Sequence, residues 1–352
     1  MPRRALAVCL LIAAAAPALA QGAKDRVYFR DRATGKEETA DGDVTDTTAG
    51  VKVTAGGKDR LISAADIVRV DYAALDPLPG RVASVQAEGK APADALKFYS
   101  DAAKALQANA AEKAKRTVAF REAVYSAQVT AAKEGDEFAA EAKKTADKMA
   151  AFVKAYPKSW EQWQVGRTAA RLYGEAGDWA AADAVLKDLG GVPDAPPELK
   201  LDAKLARVGF HIRAGKPADA SSVLAEVENA PGVTPSQKDR AGMARTALGA
   251  FPVKEGANPA ATVAALEKAI AASKDPVARA VGYGLTGEVQ LAHRQLRAAT
   301  WSFCWVDTVY PQDADERLFA VVRLADIFSR TGDKEGDKTR AEQYRERLPK
   351  VR

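Results

Sequence analysis

A helix-ending turn recurs along this chain at a spacing in the high thirties of residues, and recurrence of that kind restricts a fold more than any other feature. Arg171-Leu172-Tyr173-Gly174-Glu175-Ala176-Gly177-Asp178 closes one apolar-periodic segment, and Trp179-Ala180-Ala181-Ala182 opens the next. Thirty-eight residues on, Gly215-Lys216-Pro217-Ala218-Asp219-Ala220 repeats the turn and the alanine behind it. Gln295-Leu296-Arg297-Ala298-Ala299 repeats it again, and Phe328-Ser329-Arg330-Thr331-Gly332-Asp333 follows at a 37-residue offset. Lys133-Glu134-Gly135-Asp136 reads as an earlier member. The segments after the turns share an ending too: Phe152 to Pro157 matches Trp305 to Pro311, with proline stopping a helix and setting the entry into the next. A unit of two helices cannot bury its apolar face alone, so such units must stack.

From Ala91 onward the apolar spacing is 3.6-like, which predicts helices throughout 91–352. At the repeated turns the chain resembles tetratricopeptide (TPR) repeats: Tyr173 with Gly177 and Ala182, Gly287 with Ala299, and Ala325 with Phe328 and Gly332 stand where that family places its small and aromatic packing residues. The resemblance implies a mainly α fold, a TPR-like α-solenoid of antiparallel helix pairs. Residues 236–258, with Pro252 and Gly256, depart from the pattern, and leave repeat number and register open.

Residues 27–72 differ in composition. Val27-Tyr28-Phe29, Val44 to Thr47, Val51 to Thr54, Arg60 to Ser63 and Ile67 to Asp71 read as short strands with period-two apolar residues. Turns fall at Thr34-Gly35-Lys36, Ala49-Gly50 and Gly56-Gly57, and a single helical turn at Ala64-Ala65-Asp66. The run from Gly42-Asp43-Val44 to Val68-Arg69-Val70 resembles SH3-like or Sm-like barrels, and implies a small closed β-barrel over 21–75. Tyr28, Phe29 and Tyr72 either form an aromatic strip for a ligand or fill the small core. A linker, 76–90, carries Asp76-Pro77-Leu78-Pro79-Gly80. Ahead of all this, Arg3-Arg4, the apolar run Ala5 to Ala16 and Ala18-Leu19-Ala20 have the pattern of a signal peptide over 1–20, cleaved before Gln21. The whole order resembles that of secreted bacterial TPR proteins with an N-terminal small barrel. Export to the periplasm or the extracellular space is expected. No later stretch reaches the ~18 apolar residues of a transmembrane helix, so no integral membrane segment is expected after cleavage.

Hydrophobic residues make up 47% and charged residues 28% of the chain, a balance that excludes a disordered polymer. With 52 Lys+Arg against 47 Asp+Glu, the small positive charge gives no reason to expect a nucleic-acid partner. After signal cleavage Cys304 is the sole cysteine, so packing and not an internal disulfide must stabilise the fold. Flanked by Phe303 and Trp305, it reads as a core residue. His211 and His293 both fall inside predicted helices without companion ligands, which argues against a metal site. The run Gly332 to Thr339 lacks the second glycine of a phosphate loop, where Asp337 stands, and Asp41 to Lys52 fails the calcium-loop pattern at its sixth and twelfth positions. No catalytic residue, cofactor or metal is expected, and the chain does not read as an enzyme.

What remains is a non-catalytic protein–protein interaction scaffold of the bacterial cell envelope, holding a peptide or partner helix in the TPR groove. Gln164, Arg167, Arg171 and Glu175 are expected on the groove face of a first helix. Arg167 and Arg171, at i and i+4, project together and can hold a carboxylate; a solvated basic face is the simpler alternative. The competing function is a cell-wall or polysaccharide binder acting through the N-terminal barrel.

Overall fold

The computed structural model describes residues 24–31, 36–73, 86–89, 91–106, 110–254, 256–331 and 335–351. The signal peptide, the Asp76–Gly80 linker and the Gly332-Asp333 turn lie outside them. The fold is mainly helical, preceded by a small five-stranded antiparallel sheet.

The strands are β1 (Asp25–Arg30), β2 (Glu37–Thr47), β3 (Gly50–Ala55), β4 (Lys58–Ser63) and β5 (Ile67–Asp71), in the order β4-β3-β2-β1-β5. Alternation decides which side chains point in: Val27 and Phe29 of β1 and Val51 and Val53 of β3 are buried, while in β5 the register against β1 shifts and Ile67 and Val70, three apart, are both buried. The long β2 serves two partners. Its first half pairs with β1 from Arg30↔Glu37 to Asp25↔Gly42, and its second half pairs with β3 from Asp43↔Thr54 to Thr47↔Gly50. At the handover a Cβ on Gly42 would sit 2.5 Å from the Thr54 carbonyl oxygen, so only glycine lets the strand bend there.

The expected barrel is not closed. β4 and β5 are the two edges of the sheet, and no ladder joins them among the described residues. The reason lies in what covers the inner face. Val27, Phe29, Val51, Val53 and Ile62 belong to one continuous apolar cluster with Phe120, Trp160 and Trp163 of the helical region. With helices completing the core, the sheet has no need to curl onto itself.

The helices are α1 (Pro92–Ala105), α2 (Glu112–Ala131), α3 (Gly135–Ala155), α4 (Glu161–Glu175), α5 (Trp179–Gly190), α6 (Pro197–Arg213), α7 (Pro217–Glu228), α8 (Pro235–Leu248), α9 (Ala260–Ala272), α10 (Pro276–Ala292), α11 (Leu296–Thr308), α12 (Ala314–Arg330) and α13 (Glu335–Val351). Each recurring turn among the described residues separates the first helix of a pair from the second. Behind the turns, Ala182, Ala220 and Ala299 are fully buried, which lets the paired helices approach closely. The turns at Gly177 and Gly215 share one geometry. Gly177 and Gly215 take positive φ, while Asp178 N–H reaches the Tyr173 carbonyl and Lys216 N–H the His211 carbonyl, each at 2.8 Å. This six-to-one bond satisfies a carbonyl that the helix end leaves open. At the third turn Gln295 N–H repeats the bond to Gln290 at 2.8 Å, with Arg294 at φ 60° in the glycine position. Of the irregular stretch 236–258, the part up to Leu248 belongs to a first helix, α8, started by a capping box between Thr234 and Gln237, while Pro252 and Gly256 lie in the non-helical connection that follows.

First helices pack on first helices: α2 on α4, α6 on α8, α8 on α10 and α10 on α12, with α6 also reaching α10. From α4 on, the first helix of each pair carries more buried residues than the second. The array then turns back on itself, because α13 reaches α2 and Phe319 of α12 joins the apolar cluster of the N-terminal half.

Candidate functional site

The four expected groove residues all lie on α4. Arg167 and Arg171 are brought together, and the group they grip is the chain's own. Arg167 Nη2 donates to Asp315 Oδ2 at 2.6 Å, and Arg171 Nη1 lies 3.7 Å from Asp315 Oδ1. Gln164 stays exposed and Glu175 is half-buried near the end of the helix. The start of α12 therefore meets this arginine pair, while the side chains of Gln164 and Arg167 stay exposed.

The start of α12 is built for this contact. Asp313 caps the helix, its Oδ1 accepting from the backbone N–H groups of Asp315 and Glu316 at 3.0 Å each. That fixes two further carboxylates on the first turn, where the helix dipole favours negative charge. Asp315 takes Arg167 and Arg171. Glu316 accepts from Arg213 Nη2 of α6 at 2.6 Å. Arg213 also lies over the Phe319 ring at 4.2 Å, and Phe319 meets Phe210 edge-on at 5.5 Å. Deeper in, Glu288 of α10 accepts both donors of Arg323 at 2.8 and 3.0 Å. A cavity of about 60 Å³ remains between Arg167, Phe210, Arg213, Arg240, Glu316 and Phe319.

Neighbouring carboxylates respond in opposite directions. Burial would raise Asp315, but the Arg167 and Arg171 guanidiniums outweigh it and hold the carboxyl below its ordinary range. Glu316 rises, because burial exceeds the pull of Arg213. The site is thus a charge-matched seam, and its chemistry is carboxylate recognition.

A second polar cluster joins the sheet to the helices. Arg116 of α2 donates to Asp46 Oδ2 at 2.7 Å and to Glu161 Oε1 at 3.1 Å. The Tyr72 hydroxyl donates to Asp46 at 2.5 Å and accepts from Arg116 at 3.2 Å and Trp160 Nε1 at 3.3 Å. Trp163 Nε1 donates to the Thr48 carbonyl at 2.8 Å. Glu161 is 1% exposed, and burial pushes its carboxyl up to about 7 despite Arg116. Within the expected linker, residues 86–88 form a helical turn, and Glu88 accepts from Tyr99 at 2.5 Å while facing Arg69 and Arg121.

The aromatic strip imagined on the sheet is not assembled. Phe29 is in the core, Tyr28 lies under Arg69, and Tyr72 belongs to the interdomain cluster. His211 is a packing residue, its Nε2 3.0 Å from Asp183. His293 sits one position beyond α10, where its ring nitrogens meet the Ala257 and Ala250 carbonyls and tether the α8–α9 loop. Cys304 is half-buried and packs against the apolar cluster formed by α10, α11 and α12. Among the described residues no group of three His, Cys, Asp or Glu is placed to hold a metal ion.

Asp315, Glu316, Arg213 and Phe319 were not singled out by sequence. A signal existed in Asp313-Ala314-Asp315-Glu316, an acidic first turn on a first helix that could answer the arginine pair on an earlier one. In comparisons with family models, with curated proteins and with solved structures, nothing matches this chain.

Proposed function

We propose that this chain is a non-catalytic interaction scaffold, exported to the periplasm or the extracellular space, whose helix pairs form a TPR-like solenoid for a peptide or partner helix of another protein. What supports the reading is one piece of geometry. Two arginines a helical turn apart on a first helix converge on a single carboxylate at the start of another helix. That is the recognition chemistry a scaffold of this kind uses, here exercised on the chain's own α12. A partner with an acidic helix start would compete for the same two guanidiniums. The N-terminal sheet serves this reading as a packed extension of the array, through Arg116, Tyr72 and Trp160.

The test is crosslinked capture from an envelope extract with the full-length chain and with Arg167→Glu/Arg171→Glu. Recovery of a discrete partner by the wild type and its loss in a still-folded double variant supports the proposal. No partner with the wild type, or equal capture by both, overturns it in this form.

A further inference from the structure

The helix α11 is apolar on two faces. Ala299, Phe303 and Val306 are buried against its neighbours. On the opposite side Trp301, Trp305 and Val309 are 65%, 42% and 44% exposed. They stand at i, i+4 and i+8, so they form one ridge down the helix and past its end. A contiguous apolar face of this kind is normally covered, and this one is not. The ridge is widened by stacked rings: Tyr283 of α10 lies 5.4 Å from Trp305 at 9°, and Tyr310 lies 5.6 Å from Tyr283 at 18°.

We infer that this face rests on the surface of an anionic lipid bilayer, with the two indoles in the interfacial layer and arginines on the lipid phosphates. Three observations select that occupant. The exposed rings are tryptophan flanked by tyrosine, side chains with an apolar body and a polar edge that favour the boundary between water and hydrocarbon. Arginines border it: Arg297 is exposed one turn before Trp301 and Arg279 donates to the Tyr310 hydroxyl at 3.3 Å, with Glu267 an acidic neighbour of Tyr283. Two copies laid face to face would bring these cations together, which disfavours self-association. Finally, this face of α11 is open to solvent along its length, where a broad flat surface can reach it. No described helix is long and apolar enough to cross a membrane, so the contact is one of lying on the surface. The inference does not depend on the scaffold reading.

The experiment is co-sedimentation of the full chain with phosphatidylcholine vesicles, with and without phosphatidylglycerol, read together with tryptophan emission. Wild type should sediment with the anionic vesicles only, with a blue-shifted emission and a bound fraction that falls as salt rises. Trp301→Ala/Trp305→Ala should lower the bound fraction at least about fivefold. Trp301→Ala alone, at a side chain too exposed to hold the fold, should lower it as well, and Arg297→Gln should flatten the salt dependence. Failure of folded wild type to bind, or undiminished binding by both tryptophan variants, overturns the inference. A concentration-dependent dimer abolished by Trp301→Ala, without vesicle binding, would instead give this face to a second copy.

Discussion

Arg167 and Asp315 stand 148 residues apart in the chain and 2.6 Å apart in space. The bond joins the second of the inner helix pairs to the last. Asp315→Asn keeps the shape of the side chain and removes the charge that two arginines share. It should cost about 1–3 kcal/mol of stability, measured by denaturant unfolding. The same carboxyl predicts an acid limb. Its folded value lies below the ordinary one, so its contribution is present above the ordinary carboxylate range and is lost as pH falls through the folded value. In the asparagine variant that limb should be shallower; an unchanged acid profile would mean that Asp315 contributes nothing.

Glu161 predicts the opposite slope in another window. Its carboxyl keeps a proton in the folded state to about 7, whereas the unfolded chain releases it near the ordinary carboxylate value. Stability should therefore fall as pH rises from that ordinary value through about 7. Glu161→Gln holds the neutral form permanently and should flatten this decline. Melting temperatures of both proteins across the range decide it, and parallel curves would refute the assignment.

Arg294 occupies a left-handed backbone position that Gly177 and Gly215 fill elsewhere. A side chain there costs about 1–2 kcal/mol, part of which glycine gives back through the freer unfolded chain. Arg294→Gly should raise stability by about 0.5–1 kcal/mol, and Gly215→Arg should lower it by a similar amount. Equilibrium unfolding of the two variants checks both signs.

Cys304 lies 3.9 Å from the Tyr344 hydroxyl, in the seam between α11 and α13. Burial pushes the thiol up, so at neutral pH it is protonated and poorly reactive. Labelling with a maleimide should be slow in the native protein and fast in denaturant. Tyr344→Ala should speed native labelling with little change in the denatured rate. Equal native rates would show that α13 does not shield the thiol.

Local features were legible in the sequence because local physics sets them. Gly177 and Gly215 mark turns that need a positive φ, and Ala182, Ala220 and Ala299 mark close helix approach. The alternation of Val27 with Phe29 and of Val51 with Val53 placed the strands. Arg167 and Arg171 could be read as a pair because a helix places i and i+4 side by side. Their partner could not, since which acid they meet depends on how many pairs intervene and how each is pitched. Closure of the sheet was equally out of reach: whether β4 meets β5 depends on Phe120, Trp160 and Trp163, helical residues that complete the sheet's core. Trp305 faces outward beside the packed Cys304, and an aromatic in a helix does not announce which side of it is empty.

The return of α12 onto α4 and α6 changes how this molecule must come apart. In an open row of repeats each unit touches only the next, and the ends can fray while the middle stands. Here the contacts of Asp315, Glu316 and Phe319 tie the last pair to early ones, much as a clasp turns a strip into a hoop. Removal of residues from Pro311 onward would take Asp315 from Arg167, Glu316 from Arg213 and Phe319 from Phe210 at once, leaving Arg213 with Glu288 and Phe210 with Trp179 in the middle of the chain. Loss is thus shared over the whole array, and melting should occur in one step.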